Sequence, residues 1–242
     1  MTATTPVTPR PAATVMLLRN APTGRDGLEV LLLRRSTDTP FVPGAHVFPG
    51  GAVEDRDADA AWDAVTDFDD ATASAALDVD AGGRAYWVAA VRECLEEAGV
   101  FIATVDDVHI DDTHPVLTDE DGLRADLERG DTSLLDLCLE HRLRLPLEHM
   151  TYFAQWITPA ESPRRYDTRF FAVPMPDGQS ASADGWEAVD ATWWAPTDAL
   201  ESWQADAIQL IEPTVESIRL LVGHDSVDHA MAALRRAGEH AR

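Results

Sequence analysis

Basic residues are scarce in this 242-residue chain, which has 19 Lys and Arg against 43 Asp and Glu and a formal net charge of −24. A general nucleic-acid binder neutralises phosphates with clustered Lys and Arg, so this charge balance argues against that class. It also disfavours adhesion to an anionic membrane surface. Disordered chains can be equally acidic, but hydrophobic residues make up 45% of this one. We therefore expect a folded chain with a substantial core.

Cysteines and long apolar runs are also scarce. Cys94 and Cys138 are too few for a disulfide framework or a cysteine zinc site, and we expect two buried free thiols, with a single bridge as the alternative. Free thiols indicate a reducing compartment. No apolar run approaches the ~18 residues of a membrane span. Residues 1–12 are polar and rich in Pro, lack the apolar core of a signal peptide, and predict a flexible tail, so the expected location is the cytoplasm.

The pattern of apolar residues predicts an α/β fold. Two β-rich runs, 13–19 and 28–35, flank a turn rich in Gly, Pro and Asp and predict a hairpin. Apolar residues recur every three or four positions over 84–98, which predicts a helix with Gly99 as its C-cap. The other predicted elements are helices within 118–144, strands at 150–158, 168–173 and 188–195, and helices from Thr197, the last capped by Gly238. This order favours a sandwich with a mixed sheet over a helical bundle or a β-barrel.

Three glutamates lie close together in the segment Arg92–Val100. On a helix that turns by about 100° per residue, Glu93, Glu96 and Glu97 share one face. Carboxylates so close together repel one another, and a hard divalent cation such as Mg²⁺ or Mn²⁺ relieves that repulsion. The alternative interpretation is a solvated acidic helix face. The loop ending in Gly50–Gly51 favours the metal site, because paired glycines let the backbone approach a ligand closely.

The same segment resembles the second half of the Nudix box, which reads Arg-Glu, an apolar residue, any residue, Glu-Glu, any residue, Gly and an apolar residue. Every fixed place is matched between Arg92 and Val100. Gly51 matches the glycine that opens the box, but about 27 residues are inserted between the two halves. The remaining box glutamate falls on Asp57 when counted from Gly51 and on Arg84 when counted back from Arg92, so its place is left open.

One branch of the family, the coenzyme A diphosphatases, carries an insertion at this place and resembles the chain outside the box as well. That resemblance runs through residues 30–36, 43–51 and 156–173. It implies a Nudix-type α/β/α sandwich with a mixed sheet, an insertion within the Nudix box and extra C-terminal helices. The expected organisation is a single domain over 13–242, with an acidic insertion at 52–84, interpreted as a solvated surface, and a helical segment at 197–242.

The resemblance to Nudix hydrolases also implies roles for individual residues. The implied ligands of the divalent cation are Glu93, Glu96, Glu97 and the carbonyl oxygen of Gly51. The implied catalytic residues are the same three glutamates and Arg92, which could pair with one glutamate and orient it. A bound cation stabilises charge on a diphosphate and lowers the pKa of an attacking water. Glu93 is the first candidate for the general base, and Glu187 and Glu161 are weaker candidates.

The coenzyme A diphosphatase branch implies coenzyme A or an acyl-coenzyme A as substrate, cut to 3′,5′-ADP and 4′-phosphopantetheine or its acyl form. The alternative enzyme is a nucleotide-sugar, dinucleotide or nucleoside-triphosphate diphosphatase with the same site. The non-enzyme alternative is a ligand-sensing module, and retention of all three glutamates and Arg92 argues against it. The expected partner is a small nucleoside diphosphate-linked molecule, with no nucleic acid and no membrane, and a homodimer is left open.

Clustered arginines are informative in a chain with so few basic residues. Arg34 and Arg35 end the second predicted strand, and Arg164 and Arg165 lie between two later strands. One interpretation is a clamp for the phosphates of the substrate, and the other is ion pairing with neighbouring acids. For Arg169, which lies inside a predicted strand, ion pairing is favoured.

Overall fold

The computed structural model describes residues 7–22, 27–39 and 42–240. The strands are β1 (Arg10–Asn20), β2 (Leu28–Arg35), β3 (His46–Val47), β4 (Gly50–Ala52), β5 (Thr104–Val105), β6 (Val108–His109), β7 (Thr151–Ile157), β8 (Tyr166–Pro174) and β9 (Ala188–Trp194). The α-helices are α1 (Asp70–Leu77), α2 (Arg84–Ala98), α3 (Glu120–Arg129), α4 (Leu134–His141), α5 (Pro196–Gln204), α6 (Glu212–Arg219) and α7 (Val227–His240). Short 3₁₀ turns occupy Asp55–Ala58, Ala60–Ala64 and Leu147–His149.

Seven of the described strands form one mixed sheet, in which β3, β2, β1, β8 and β7 lie in that order. β4 pairs with the first half of β1, and β9 pairs with β2. β1 and β8 run parallel, whereas the other pairs in this sheet are antiparallel. The predicted hairpin is confirmed as the antiparallel pair β1 and β2.

Helices cover both faces of this sheet. Val15 and Leu17 of β1 belong to the apolar cluster that contains α2, whereas Met16 and Leu18 belong to the cluster that contains α5, α6 and α7. All four side chains are fully buried. A strand whose consecutive residues are all apolar presents apolar side chains to both faces of the sheet, so both faces have to be covered. The predicted α/β/α sandwich with extra C-terminal helices is therefore confirmed.

Helix α2 is the element that positions the candidate site. Its residues Trp87, Val91 and Leu95 are buried against the sheet, as their spacing predicts. The helix ends at Ala98, and Gly99 follows with a left-handed φ of 68° and an N–H that donates to the carbonyl oxygen of Leu95. Gly99 is therefore the C-cap predicted from the sequence.

The acidic insertion folds back onto the core. Trp62, Val65 and Leu77 are buried in the cluster that contains α2. Asp57, one of its carboxylates, is only 1% exposed. The insertion is therefore only partly the solvated surface expected from its charge, because it also supplies apolar contacts and the buried charges of Asp57 and Arg84.

Two predicted boundaries need correction. β1 begins at Arg10, so the tail predicted for residues 1–12 ends too late, and residues 1–6 of that tail lie outside the described residues. Helix α7 continues through Gly238 to His240, so Gly238 does not cap it. A side chain at Gly238 would overlap with the carbonyl oxygen of Tyr152. This glycine instead allows close packing of α7 on β7.

The two cysteines are buried free thiols, as predicted. Burial raises the pKa of the Cys138 thiol to about 12, so it is protonated and unreactive at neutral pH. Over the ranges that the structure describes, none of the helices combines the length and the apolar character needed to cross a bilayer.

Candidate active site

The three predicted glutamates project from α2 into one cavity beside β4. Glu97 is 6% exposed, and the side chains of Glu93 and Glu96 are 13% and 22% exposed. The cavity has a volume of about 210 Å³. Its lining residues are Glu54, Arg56, Glu93, Glu96, Glu97, Arg124, Leu127, Glu128, Asp184, Trp186 and Glu187. Acidic side chains predominate, so an anionic substrate requires compensating positive charge there.

Arg92 is the centre of a hydrogen-bond network beneath these glutamates. Its Nη1 donates to Glu93 Oε1 and to Glu96 Oε2, both at 2.8 Å, and its Nη2 donates to the carbonyl oxygen of Ala52 at 2.9 Å. Burial alone lowers the pKa of Arg92, but hydrogen bonding to Asp57 and the charge of Glu93 raise it, and the net pKa shift is upward. Arg92 therefore stays charged and orients two of the three carboxylates.

Asp57 is the acid that pairs with Arg92. Its Oδ1 accepts a hydrogen bond from Nε of Arg92 and its Oδ2 accepts one from Nη2, each at 3.0 Å. Oδ2 also accepts the N–H of Glu54 at 2.8 Å. Counting forward from Gly51 therefore gives the box position, whereas Arg84, at the start of α2, does not occupy it. The residues inserted into the box therefore occupy only the part of the segment 52–84 that follows Asp57.

The paired glycines bring the backbone against two of the glutamates. The N–H of Gly50 donates to Glu97 Oε2 at 2.9 Å. A Cβ atom on Gly51 would lie 2.6 Å from the carboxyl carbon of Glu93, so a side chain there would have to displace the Glu93 carboxylate. Only glycine permits this approach, so β4 and α2 hold Gly51 and Glu93 side by side.

Each of the three glutamates is harder to ionise than a free glutamate. Burial raises the pKa of Glu93 to about 7, with Arg92 opposing the shift and Glu96 adding to it. Burial also raises the pKa of Glu97 well above its usual value, and the charge of Glu93 adds to that shift. Burial raises the pKa of Glu96 as well. Like charges in a partly dry site favour binding of a cation.

The donor atoms of this site fit a hard divalent cation. Three carboxylates from one helix face and the backbone of Gly51 offer oxygen ligands, which Mg²⁺ and Mn²⁺ prefer. The glycine at position 51 leaves a space that a Cβ atom would fill. Among the described residues, no group of three or more His, Cys, Asp or Glu side chains is arranged around a common point suitable for a metal ion. Glu93 and Glu96 instead accept hydrogen bonds from one nitrogen of Arg92, and Glu97 accepts the N–H of Gly50.

Arg35 and Arg56 reach the carboxylates that line the cavity. At the end of β2, Nη1 of Arg35 lies 3.9 Å from Glu97 Oε1, and Nη2 lies 3.8 Å from Glu187 Oε2. Nη2 of Arg56 lies 3.3 Å from Glu96 Oε1. Of the residues predicted to bind substrate, Arg35 is therefore next to the glutamates, and Glu187, a weaker base candidate, lines the same cavity.

Gly51, Arg92 and Arg35 lie beside the lining glutamates without lining the cavity themselves. Four other predicted site residues do not line this cavity in the described part of the chain. They are Arg34, Arg164, Arg165 and Glu161. Arg34 is exposed, and because side chains alternate along a strand it points away from the face that carries Arg35. Arg164 and Glu161 are exposed in the β7–β8 connection. Nε and Nη1 of Arg165 donate to the carbonyl oxygens of Thr158 at 3.0 Å and Val7 at 2.7 Å, which fixes the segment before β1.

Arg169 has structural contacts, which include the ion pairing favoured from the sequence. Its Nη1 donates to the carbonyl oxygen of Leu77 at 3.2 Å, and its Nη2 lies 3.7 Å from Asp167 Oδ2. The guanidinium carbon is 5.7 Å from the centre of the Tyr86 ring. These contacts tie β8 to the acidic insertion.

Two lining residues carry no recognisable signal in the sequence. Trp186 is 43% exposed, and Asp184 Oδ1 holds its loop by accepting the N–H groups of Trp186, Glu187 and Ala188 at 2.7, 2.9 and 3.0 Å. Arg124, on α3, is 1% exposed. Both come from segments far along the chain from the box, so only the fold brings them to the glutamates.

Comparison with known proteins identifies relatives of this chain. The acyl-coenzyme A diphosphatase NUDT19 of Xenopus laevis is 28% identical over 217 residues, which cover 76% of this chain and 57% of that protein. The human protein of the same name is 27% identical over 267 residues, which cover 93% of this chain and 65% of that protein. The chain thus spans less than two thirds of the length of these curated relatives.

A solved structure supports the same relationship. The crystal structure of a NUDIX hydrolase from Alicyclobacillus acidocaldarius superimposes with a TM-score of 0.76 at 28% identity, and the match covers 93% of this chain and 96% of that one. The family described as NUDT19 Nudix domain matches residues 9–84 and 76–221, which include every element from β1 to α6. The chain therefore belongs to the NUDT19 Nudix domain family.

Proposed function

We propose that this chain hydrolyses the diphosphate linkage of coenzyme A or an acyl-coenzyme A, with Mg²⁺ or Mn²⁺ as cofactor. The products are 3′,5′-ADP and 4′-phosphopantetheine or its acyl form. The observation that carries the proposal is the convergence of Glu93, Glu96 and Glu97 on one cavity beside Gly51. The names of the curated relatives support the choice of substrate.

The residues of this chain would divide the work as follows. Glu93, Glu96, Glu97 and the carbonyl oxygen of Gly51 would hold the divalent cation. The bound cation supplies charge stabilisation at the diphosphate and a lowered pKa for the attacking water. Arg92 keeps Glu93 and Glu96 in place through its 2.8 Å hydrogen bonds. Arg35, next to Glu97, adds positive charge beside the diphosphate.

The proton of the attacking water needs an acceptor. Glu93 is the first candidate, because its carboxylate lines the cavity beside Gly51 and is oriented by Arg92. Glu187 lines the same cavity and is the second candidate. Glu161 is exposed in the β7–β8 connection and does not line that cavity in the described residues, so it ranks below both.

A substrate panel tests the proposal. The protein is incubated with coenzyme A, acetyl-coenzyme A, a nucleotide sugar, a dinucleotide and a nucleoside triphosphate, each with Mg²⁺ or Mn²⁺, and products are identified by mass. We expect 3′,5′-ADP from the coenzyme A species, no turnover after chelation, and full recovery when the cation is restored. Cleavage of the other substrates without any coenzyme A species would assign the alternative diphosphatase activity. Binding without any cleavage would favour the ligand-sensing module.

We propose that Trp186, which lines the cavity and is 43% exposed, stacks on the adenine ring of such a substrate. Stacking on an aromatic side chain contributes about 1–3 kcal/mol per base, so Trp186→Ala is expected to raise KM for coenzyme A roughly 10-fold with little change in kcat. Trp186→Phe keeps an aromatic face and should retain a KM close to that of the parent. Steady-state kinetics of the two variants measure this. An unchanged KM in Trp186→Ala would show that the base binds elsewhere.

Arg34, Arg164 and Arg165 stay predictions as substrate ligands, and the backbone contacts of Arg165 favour another role for that residue. The single-domain organisation, the cytoplasmic location and the homodimer stay predictions as well.

A further inference from the structure

Arg124 is a buried cation in the wall of the candidate active site. Its side chain is 1% exposed, although it lines the same cavity as Glu93, Glu96 and Glu97. Burial lowers the pKa of Arg124, and the charge of Glu120 opposes that shift. A guanidinium remains protonated even so, so the chain carries a fixed positive charge inside an acidic cavity.

One nitrogen of Arg124 is anchored. Nη2 donates to the carbonyl oxygen of Ser182 at 2.9 Å and to Ser182 Oγ at 3.1 Å, and it pairs with Glu120 Oε1 at 2.6 Å. The N–H of Ser182 donates to the carbonyl oxygen of Ala98 at 3.0 Å. These contacts join α3, the segment before β9 and the end of α2, and they fix the guanidinium.

Gly99 leaves room for this guanidinium. A Cβ atom at position 99 would overlap with Nη2 of Arg124 and with Oε1 of Glu120. The glycine that ends the helix of the box therefore also allows a cation from another helix to sit at the C-terminus of α2, where the helix dipole favours positive charge.

The other nitrogens of Arg124 have no partner in the structure. Nε and Nη1 are buried and donate no hydrogen bond to any described residue. An unsatisfied buried donor costs about 1–3 kcal/mol, and more when it is charged. Anchoring Nη2 alone would not require an arginine, since a lysine provides three donors at one atom. The unused donors, on a residue that lines the cavity, indicate an anionic ligand.

We propose that Arg124 binds a phosphate group of the substrate through Nε and Nη1. The proposal rests on the proposed function, and it adds a substrate-binding residue outside the Nudix box. The lining acids would be offset by the divalent cation on one side of the diphosphate and by Arg124 on the other. Arginine suits this task because its charge is permanent and its donors are fixed in a plane.

The first test compares Arg124→Gln and Arg124→Lys with the parent. We expect KM for coenzyme A to rise about 10- to 100-fold in Arg124→Gln, the loss typical of a hydrogen bond to a charged group. The KM of Arg124→Lys should lie between those of the parent and Arg124→Gln, because lysine keeps the charge and loses the donors at Nη1. Arg129→Gln is the matched control: it makes the same substitution at an exposed arginine of the same helix, so KM should stay within about threefold of the parent.

The second test separates phosphate binding from folding and from the identity of the substrate. Titration calorimetry with inorganic diphosphate in the presence of Mn²⁺ should show at least a 10-fold weaker affinity in Arg124→Gln, whereas the affinity for Mn²⁺ alone should match that of the parent. Parental diphosphate affinity in a folded Arg124 variant would overturn the proposal. If Arg124→Gln does not fold, Arg124→Lys decides by the same criterion. Failure of the parent to cleave coenzyme A would overturn the proposed substrate and leave the diphosphate result to decide the role of Arg124.

Discussion

The variant Glu97→Gln is expected to lower kcat about 10²- to 10³-fold, the loss typical of one group that stabilises charge in a transition state. Glu97 is 6% exposed, and its Oε2 accepts the N–H of Gly50. Glutamine has the same shape and keeps a carbonyl oxygen for that hydrogen bond, so the local structure should survive. What the substitution removes is one negative charge from a cluster that also contains Glu93.

Thermal melting distinguishes a lost metal ligand from a damaged fold. Without cation, Glu97→Gln should melt at or above the parental temperature, because one buried charge and its repulsion of Glu93 are gone. With excess Mn²⁺ the parent should gain stability by mass action, and the variant should gain less. Glu140→Gln, an exposed substitution on α4, is the matched control and should behave as the parent in both assays. A parental kcat in Glu97→Gln would show that the chemistry lies elsewhere.

Local patterns predicted the elements of the sheet and the helix of the site. Periodicity placed α2 and its cap at Gly99, because a helix face and its terminating glycine are encoded within a few residues. The continuous apolar runs of β1 and β2 likewise reflect burial on both faces of the sheet. The same reasoning failed at Gly238, since the close approach of α7 to the carbonyl oxygen of Tyr152 depends on a strand far away in sequence.

The partners of charged residues were much harder to predict. Arg165 belongs to a cluster in the sequence, yet it donates to backbone carbonyl groups, whereas Arg169 pairs with Asp167 as the sequence favoured. Arg124 has no motif around it and still lines the cavity of the glutamates. Such pairings depend on which segments the fold brings together, and a single sequence with 43 acids offers many candidate partners for every arginine.

Asp57 shows where the sequence held more information than its motif suggested. Its spacing from Gly51 was correct, but the insertion before α2 made two counts equally acceptable. The structure resolves this because Asp57 lies in a 3₁₀ turn directly after β4 and meets Arg92 before the inserted residues begin. The informative signal in the sequence was the spacing from Gly51 to Asp57. An insertion that follows Asp57 leaves this spacing unchanged.

The substitution Asp57→Asn is therefore expected to lower both the stability and the catalytic activity of the protein. Asp57 is 1% exposed and binds Arg92 through two 3.0 Å hydrogen bonds. Removing one partner of a buried ion pair costs about 3 kcal/mol or more, which corresponds to a fall in melting temperature of about 10 °C for a chain of this size.

The activity of Asp57→Asn should fall about 10- to 100-fold, the range for residues that orient metal ligands. Asp57→Asn removes the negative charge that competes with Glu93 and Glu96 for Arg92. Arg92 then binds these two glutamates more strongly, so both become poorer metal ligands. The apparent affinity for Mn²⁺ should drop accordingly, and calorimetric titration measures it. Asp55→Asn makes the same substitution at an exposed position of the same turn and should change neither property. If Asp57→Asn keeps the parental Mn²⁺ affinity while its melting temperature falls, the Asp57–Arg92 pair supports the fold without positioning the metal ligands.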